Sequence, residues 1–283
     1  MSDVVDAPGL YLDVPEAIYH GDRGTLSQSG AKKLLPPSCP AIFHYEREHP
    51  PAPKDVFDIG SAAHALVLGV GDPIARLDFD DWKTKAAREA RDEARAEGKT
   101  PLLAKDYETV HAMAAALRKH PLAATLFADG RPEVSAFWTD AETGVGRRAR
   151  FDWLPNADPR RRRVIPDYKT TSDANPSKFA KSAADFGYYM QAPWYLDAIA
   201  ATEGDTEAAF LFVVQSKTPP YLVSVVELDH DALMLGHRLN RRALEIYAEC
   251  ESSGVWPGYG DDVHYVSLPS WVHYEKEELL RSV

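Results

Sequence analysis

Three side chains stand out for their type and spacing: Asp152 in the run GRRARFDW, and Asp167 with Lys169 in RRRVIPDYKTT. Alternate side chains of an extended chain share a face, so Asp167 and Lys169 project together, with Ile165 beside them. By the same alternation Arg148 and Arg150 share a face with Asp152, while Ala149, Phe151 and Trp153 point the other way, toward a core. The turn PNADPR is short enough to make the two strands neighbours, which can bring Asp152 close to Asp167. Carboxylates that converge beside a lysine repel one another, and one of their pKa values rises unless a cation is present. A hard divalent ion resolves the conflict, because Mg²⁺ takes oxygen ligands at about 2.1 Å, keeps several waters and uses one or two protein carboxylates plus substrate phosphate. The lysine can then orient or deprotonate an attacking water while the metal polarises a phosphate. Those are the parts of phosphodiester hydrolysis.

Several elements must hold these groups in place. TLSQSGAKKLLPPS reads as a short helix capped by Ser27, with Leu34 and Leu35 turned inward, and a proline-rich break, EHPPAPKDVFDIG, follows. SAAHALVLG suits a buried helix whose one polar member is His64, either a satisfied core histidine or a metal ligand. The Ala-rich, charged stretch Asp81 to Glu97 predicts a solvated helix, or a lid over substrate, and Asp106 to Lys119 a helix with Val110, Met113, Ala114 and Leu117 inward. From Glu133 the pattern becomes an antiparallel meander of three strands. Glu133 opens it, as a surface residue or, if inward, beside a second metal or a metal-bound water. A helix from about Tyr189 to Ala201, with Pro193 in its first turn, puts Gln191 and Tyr195 on one face. They pack helix to sheet, or they hold the lysine and touch phosphate. A strand AAFLFVVQ, a Thr-Pro-Pro turn, a strand YLVSVVEL and a long helix capped by Asp229 follow, and the aromatics of the tail should pack back on the body.

Composition narrows the setting. The chain has 283 residues, 45% of them hydrophobic and 27% charged, enough apolar material for one large α/β domain. Cys39 and Cys250 form no CxxC pair, which excludes a disulfide framework or a four-cysteine cluster within the chain and fits a reducing cytoplasm. No apolar run nears the roughly 20 residues that span a bilayer, and the acidic N-terminus lacks an export signal. The net charge of −11 argues against a protein that coats nucleic acid and requires any DNA to be held by localised cations. Arg148, Arg150, Arg161 and Arg163 are candidates, since guanidinium forks suit phosphate oxygens; Arg160 to Arg163 read equally well as a solvated loop. Lys178 and Lys181 could extend a positive surface.

The order Asp152, then Pro166-Asp167-Tyr168-Lys169-Thr170-Thr171, resembles the D…(D/E)xK signature of the PD-(D/E)XK nucleases. His64 resembles the upstream histidine of their RecB-like branch, and Gln191 with Tyr195 in QAPWY its QxxxY helix. TLSQSG, DWKTKAAREARDEARAEGK, TPPY, WPGY and LPSW are similar to the phage-type RecE (exonuclease VIII) nuclease domain, and the iron–sulfur sub-branch is disfavoured because its extra cysteines are absent. The resemblance implies an α/β restriction-endonuclease-like core, a mixed central sheet flanked by helices, in a single domain: a mainly helical part over 1–130, the catalytic sheet and QxxxY helix over 131–228, and a C-terminal helix and tail over 229–283. It implies Mg²⁺ or Mn²⁺ held by His64, Asp152, Asp167 and the Tyr168 backbone carbonyl, and catalysis by Lys169 with Asp152, Asp167, Gln191, Tyr195 and Glu133. The expected activity is ATP-independent degradation of linear double-stranded DNA from 5′ ends in homologous recombination, by a ring-like homo-oligomer, beside a RecT-like single-strand annealing partner. An endonuclease or single-strand-specific nuclease of the RecB-like group, and a catalytically idle scaffold that binds DNA ends, are the alternatives.

Overall fold

The computed structural model describes residues 7–50 and 58–281. Most of the proline-rich break, 51–57, lies outside the described residues. The N-terminal part carries β1 (Gly9–Tyr11), α1 (Glu16–Gly21), β2 (Leu26–Ser27), α2 (Gln28–Lys33), α3 (Pro40–Glu48), α4 (Asp58–Leu68), β3 (Ile74–Leu77), α5 (Lys85–Ala96), β4 (Thr100–Leu103), α6 (Ala104–Lys119) and α7 (Pro121–Leu126). Ser27 caps α2 by accepting from the Gly30 amide, and Val110, Met113, Ala114 and Leu117 form the buried stripe of α6, both as the pattern predicts. This part is less purely helical than its composition suggests, because β1 and β2 add to the main sheet.

The following part runs β5 (Gly130–Thr139), β6 (Gly146–Pro155), β7 (Val164–Thr171), α8 (Pro176–Phe186), α9 (Tyr188–Glu203), β8 (Ala209–Ser216) and β9 (Val223–Val226), and then come α10 (His230–Ser253) and α11 (Ser270–Arg281). The strands form a four-stranded sheet β1-β5-β6-β2, a three-stranded sheet β7-β8-β9 and a small pair β3-β4. β5 and β6 are the expected hairpin, but the meander ends there. β7 lies beside β6 yet pairs with β8, in parallel, with Asp167 opposite Phe212 and Lys169 opposite Val214. Parallel pairing needs a long crossover, which α8 and α9 supply. The Tyr168 amide, instead of entering a ladder with β6, donates to the Asp152 carboxylate at 2.8 Å. A side chain thus bridges the seam between the two sheets.

Both faces of β7 and β8 are covered, so alternation along them separates two cores. Ile165, Phe210, Phe212 and Val214 join Phe151, Met190, Trp194, Ile199 and Leu244 in the larger one, while Tyr168 and Val213 face Ala62, Ala63, Val110 and Met113 of α4 and α6. The helix α8 has no counterpart in the periodicity reading, although Asn175 caps it and Pro176 opens it. It also shifts the start of α9. Gly187, with φ 74°, makes the joint, so α9 begins at Tyr188 and Pro193 falls inside the helix rather than in its first turn. The missing N–H of Pro193 strips an intrahelical partner from the Tyr189 carbonyl, and α10 closes onto that point: a Cβ on Gly236 would lie 1.6 Å from the Tyr189 oxygen, and Asn240 donates to the Met190 carbonyl at 2.8 Å.

Only the first part of the tail packs back. Trp256 stacks on His44, with ring centres 4.7 Å apart, and rests on Phe43 and Tyr247. Farther on Tyr265 is 99% exposed and α11 buries none of its residues, Trp271 of the LPSW run included. Among the described residues no helix is long and apolar enough to cross a membrane.

Candidate active site

The seam between β6 and β7 gathers the chemistry-bearing residues from four elements. Asp167 on β7 is 2% exposed; its Oδ1 accepts from Gln191 Nε2 of α9 at 2.7 Å, and its Oδ2 lies 2.7 Å from Lys169 Nζ. Asp152 on β6 accepts at Oδ2 from the Tyr168 amide and lies 3.1 Å from His64 Nε2 of α4. The other imidazole nitrogen, Nδ1, is 3.6 Å from Glu133 Oε1 on β5. Strand alternation aligns Asp167 with Lys169, as the sequence predicts, and His64 of α4 lies over β7 with its ring centre 6.2 Å from that of Tyr168.

Glu133 does not simply open a strand. It sits inside β5 with φ 50°, a left-handed conformation unfavourable to a residue with a Cβ, and the β5–β6 ladder skips the pair it would make with Asp152. The distortion lies directly opposite Asp152. Strain concentrated at such a point marks a site whose geometry the surrounding structure enforces.

Burial and neighbouring charge set the protonation of the group. Desolvation dominates at Asp167 and pushes its pKa up to about 6, with the Lys169 charge opposing the rise and the Asp152 charge adding to it. Desolvation also raises Glu133. At Asp152 burial acts upward, yet the charge and hydrogen bond of His64, the Lys169 charge and the Tyr168 amide together hold the carboxyl below its ordinary range. Burial alone would lower His64 and Lys169. The charge and hydrogen bond of Asp152 raise His64, helped by Glu133, and Asp167 with Asp152 raises Lys169. Two neighbouring aspartates are therefore driven in opposite directions.

The other expected residues are distributed unevenly. Gln191 holds Asp167 rather than the lysine, whose ammonium instead lies 5.2 Å from the ring centre of Tyr188. Tyr188 precedes Gln191 by three positions on the same helix face, but a helix read as starting near Tyr189 left it out. Tyr195 packs edge-on against Phe151 and Phe210, the helix-to-sheet arrangement. Arg150 donates to Ser135 and to the Val14 carbonyl and stands 4.2 Å from the centre of the Tyr19 ring; Arg148 is anchored by Asp22 and Thr25. Arg163 is committed to Glu203 and Asp205 at the far end of β7, with its side chain 5% exposed, so a free phosphate contact there is ruled out by its partners. Arg161 is exposed in the loop before β7 near Asp158, and Lys178 on α8 pairs with Asp173 at 2.6 Å.

Among the described residues no three His, Cys, Asp or Glu side chains already form a metal-holding group. The donors nevertheless suit a hard divalent cation. Asp167 Oδ2 is a buried oxygen without an aligned hydrogen bond, and Asp152 and His64 stand beside it with an oxygen and an imidazole nitrogen.

A mixed α/β body with a D…DxK set at a strand seam, backed by a histidine helix and a glutamine helix, defines a PD-(D/E)XK nuclease. A family model described as a PDDEXK-like domain of unknown function (DUF3799) matches residues 27–269, and the chain belongs to that family. Among solved structures the chain is similar to a crystal structure from Eubacterium rectale described as a "Putative exonuclease", with a TM-score of 0.62 and 12% identity over 93% of this chain and 98% of that one. At that identity the likeness establishes the shared fold. No curated protein matches.

Proposed function

We propose that this protein is a metal-dependent, ATP-independent exodeoxyribonuclease that degrades linear double-stranded DNA, from 5′ ends. The observation that carries the proposal is the seam itself, where Asp152 and Asp167 are held at opposite protonation tendencies within reach of one lysine. Asp152, Asp167, His64 and the Tyr168 backbone carbonyl are the groups that would hold Mg²⁺ or Mn²⁺. A bound ion would neutralise the carboxylates, polarise the scissile phosphate and lower the pKa of a bound water.

The protein's own groups have separable tasks. Gln191 fixes the orientation of Asp167, and the Tyr168 amide fixes Asp152. Lys169 is raised in pKa by its two carboxylate neighbours, so at neutral pH it is an ammonium. It therefore serves to orient a nucleophile and to stabilise charge that builds on phosphoryl oxygens, rather than to accept a proton. Without a metal, His64 bridges Asp152 and Glu133, 3.1 Å from the first and 3.6 Å from the second.

Digestion of end-labelled linear duplex with Mg²⁺, and with EDTA as control, tests activity, cofactor and polarity together. Mononucleotide release from linear but not covalently closed DNA is the expected result; equal cleavage of closed circles would instead mark an endonuclease, and inertness toward all substrates a scaffold. The ring-like assembly and the RecT-like partner enter the proposal through the resemblance of TLSQSG, TPPY and LPSW. Native mass measurement of the free protein tests the first of these.

A further inference from the structure

Lys169 shares its nearest counter-charge with the ion the site is built to take. Asp167 Oδ2 lies 2.7 Å from the Lys169 ammonium, and it is also the buried carboxylate oxygen left without an aligned hydrogen bond. On the nuclease reading this oxygen turns to a divalent ion. It cannot serve both partners equally, since a cation held on the carboxylate weakens its hold on an ammonium beside it. The Lys169 side chain is only 23% exposed, so water replaces the lost partner poorly. Unless another group retains it, the lysine is released at the stage where its orientation matters.

Tyr188, the first residue of α9, is placed to retain it. The Lys169 ammonium stands over the Tyr188 ring, 5.2 Å from its centre. An ammonium within about 6 Å of an aromatic centre is attracted by the negative face of the ring, more strongly where water is excluded. That attraction needs no carboxylate. It therefore persists when Asp167 is engaged elsewhere.

The ring is itself held from several sides. It stacks on Phe212 of β8 and on Phe179 of α8, with centres 5.2 Å and 5.7 Å away, and Phe186 lies tilted against it at 5.7 Å. Lys32 of α2 donates to the Phe186 carbonyl at 2.9 Å and so pins the joint between α8 and α9 from which Tyr188 projects. Phe212 is the β8 residue opposite Asp167 in the ladder, so the strand neighbour of the aspartate is also a platform for the tyrosine. The crossover that makes β7 and β8 parallel thus also delivers an aromatic face to Lys169. Any large apolar side chain would satisfy the packing at this point; the ammonium is what calls for an aromatic one.

We propose that Tyr188 is a positioning residue for Lys169, whose ring retains the ammonium at the seam when Asp167 turns to a divalent ion. The purpose of this contact rests on the nuclease reading, whereas the contact itself does not.

Two measurements test it. In protein carrying isotope-labelled lysine, with the Lys169 signal assigned by its loss in Lys169→Arg, NMR should find the ε-methylene of Lys169 upfield of the other lysines, because a ring current shields groups over its face. The signal should stay upfield at saturating Mg²⁺ in the parent and in Tyr188→Phe, and should join the other lysines in Tyr188→Leu. A parent signal that lies among the other lysines, or moves there when Mg²⁺ is added, overturns the proposal. Hydrolysis of linear duplex is the second readout. Tyr188→Phe should leave kcat nearly unchanged, and one, two and then three fluorines on that phenylalanine should lower it stepwise. The full loss should be roughly tenfold, or about 1.4 kcal/mol, with KM and melting temperature unmoved, because fluorine withdraws the π density that holds a cation and barely alters the size of the ring. Equal kcat across the fluorinated series would reduce Tyr188 to packing, and an effect confined to KM would assign the ring to DNA; either result overturns the proposal. Absence of hydrolysis in the parent, with the upfield signal retained at saturating Mg²⁺, would overturn the nuclease reading and leave the retention of Lys169 by Tyr188 standing.

Discussion

Replacing Gln191 with Leu probes the seam most directly. Gln191 Nε2 donates to Asp167 Oδ1 at 2.7 Å, and Asp167 is only 2% exposed. A hydrogen bond to a charged group contributes about 1.5–3 kcal/mol, and at 1.36 kcal/mol per pKa unit its loss should raise the Asp167 pKa by about one to two units. That pKa already stands near 6, above the ordinary 3.8, because burial disfavours the charged form. An acid whose folded pKa is raised binds more protons folded than unfolded. Its protonated form is therefore compatible with full stability below about pH 4, and stability is lost as pH rises through the folded pKa. In the metal-free wild type this loss should fall between about pH 4 and 6; in Gln191→Leu it should continue to about pH 7 or 8. Urea unfolding at pH 5 and pH 8 measures it, with a variant deficit of about 2 kcal/mol at pH 8 and a smaller one at pH 5. Mn²⁺ requires the ionised carboxylate, so the midpoint of Mn²⁺-induced thermal stabilisation should move to higher pH by the same one to two units. A deficit of equal size at both pH values, with an unshifted Mn²⁺ midpoint, would refute the role given to Gln191.

Four other outcomes follow from the same structure. Lys169→Ala should lower hydrolysis of linear duplex by roughly 10³-fold while calorimetry still shows Mn²⁺ binding, whereas Asp167→Ala should lose both; unchanged cleavage by the first variant would sink the assignment of the lysine. Gly236→Ala places a Cβ 1.6 Å from the Tyr189 oxygen and should destabilise by about 3 kcal/mol or more, since α10 must retreat from α9; a loss below about 0.5 kcal/mol in urea unfolding would contradict the packing. Glu133→Gly should prove about 1 kcal/mol more stable than Glu133→Ala, because glycine alone tolerates the φ of 50° without cost; the reverse order would remove the case for strain. Deleting residues 262–283 takes away α11, which buries none of its residues, and should leave the melting temperature within about 2 °C of the parent.

How much could be read beforehand depended on how local each determinant was. Asp167 and Lys169 are related by strand alternation alone, and Ser27 and Asp229 declare helix starts through their own side chains. The pairing of β7 with β8 was not readable from either strand, since a short turn after β6 favours a hairpin and only the α8–α9 crossover makes the parallel alternative available. The fate of the arginines was hidden for the same reason. Arg163 is neutralised by Glu203 and Asp205 from the end of α9, forty residues away, and nothing in RRRV announces those partners. His64 and Glu133 were suggested by order along the chain, but their meeting across one imidazole depends on α4 crossing the seam.

The departure from a continuous sheet and the chemistry of the site have one cause. Had β6 and β7 paired as a hairpin, the Tyr168 amide would be spent on a backbone carbonyl and Asp152 would lack the donor that now helps keep it ionised. Had Glu133 followed its neighbours into the ladder, it would sit squarely across from Asp152 as an ordinary strand pair. Each exchanges a regular backbone pairing for a carboxylate with a set orientation. Such exchanges lower stability locally and are tolerated because two separate cores, one on each face of β7 and β8, hold the strand from both sides. The placement of Asp167 then follows: it is deep enough for burial to raise its pKa, while its neighbour across the seam is pulled down. A pair divided in that way can accept a cation by losing one proton rather than two, which is the property a metal-dependent hydrolase needs near neutral pH.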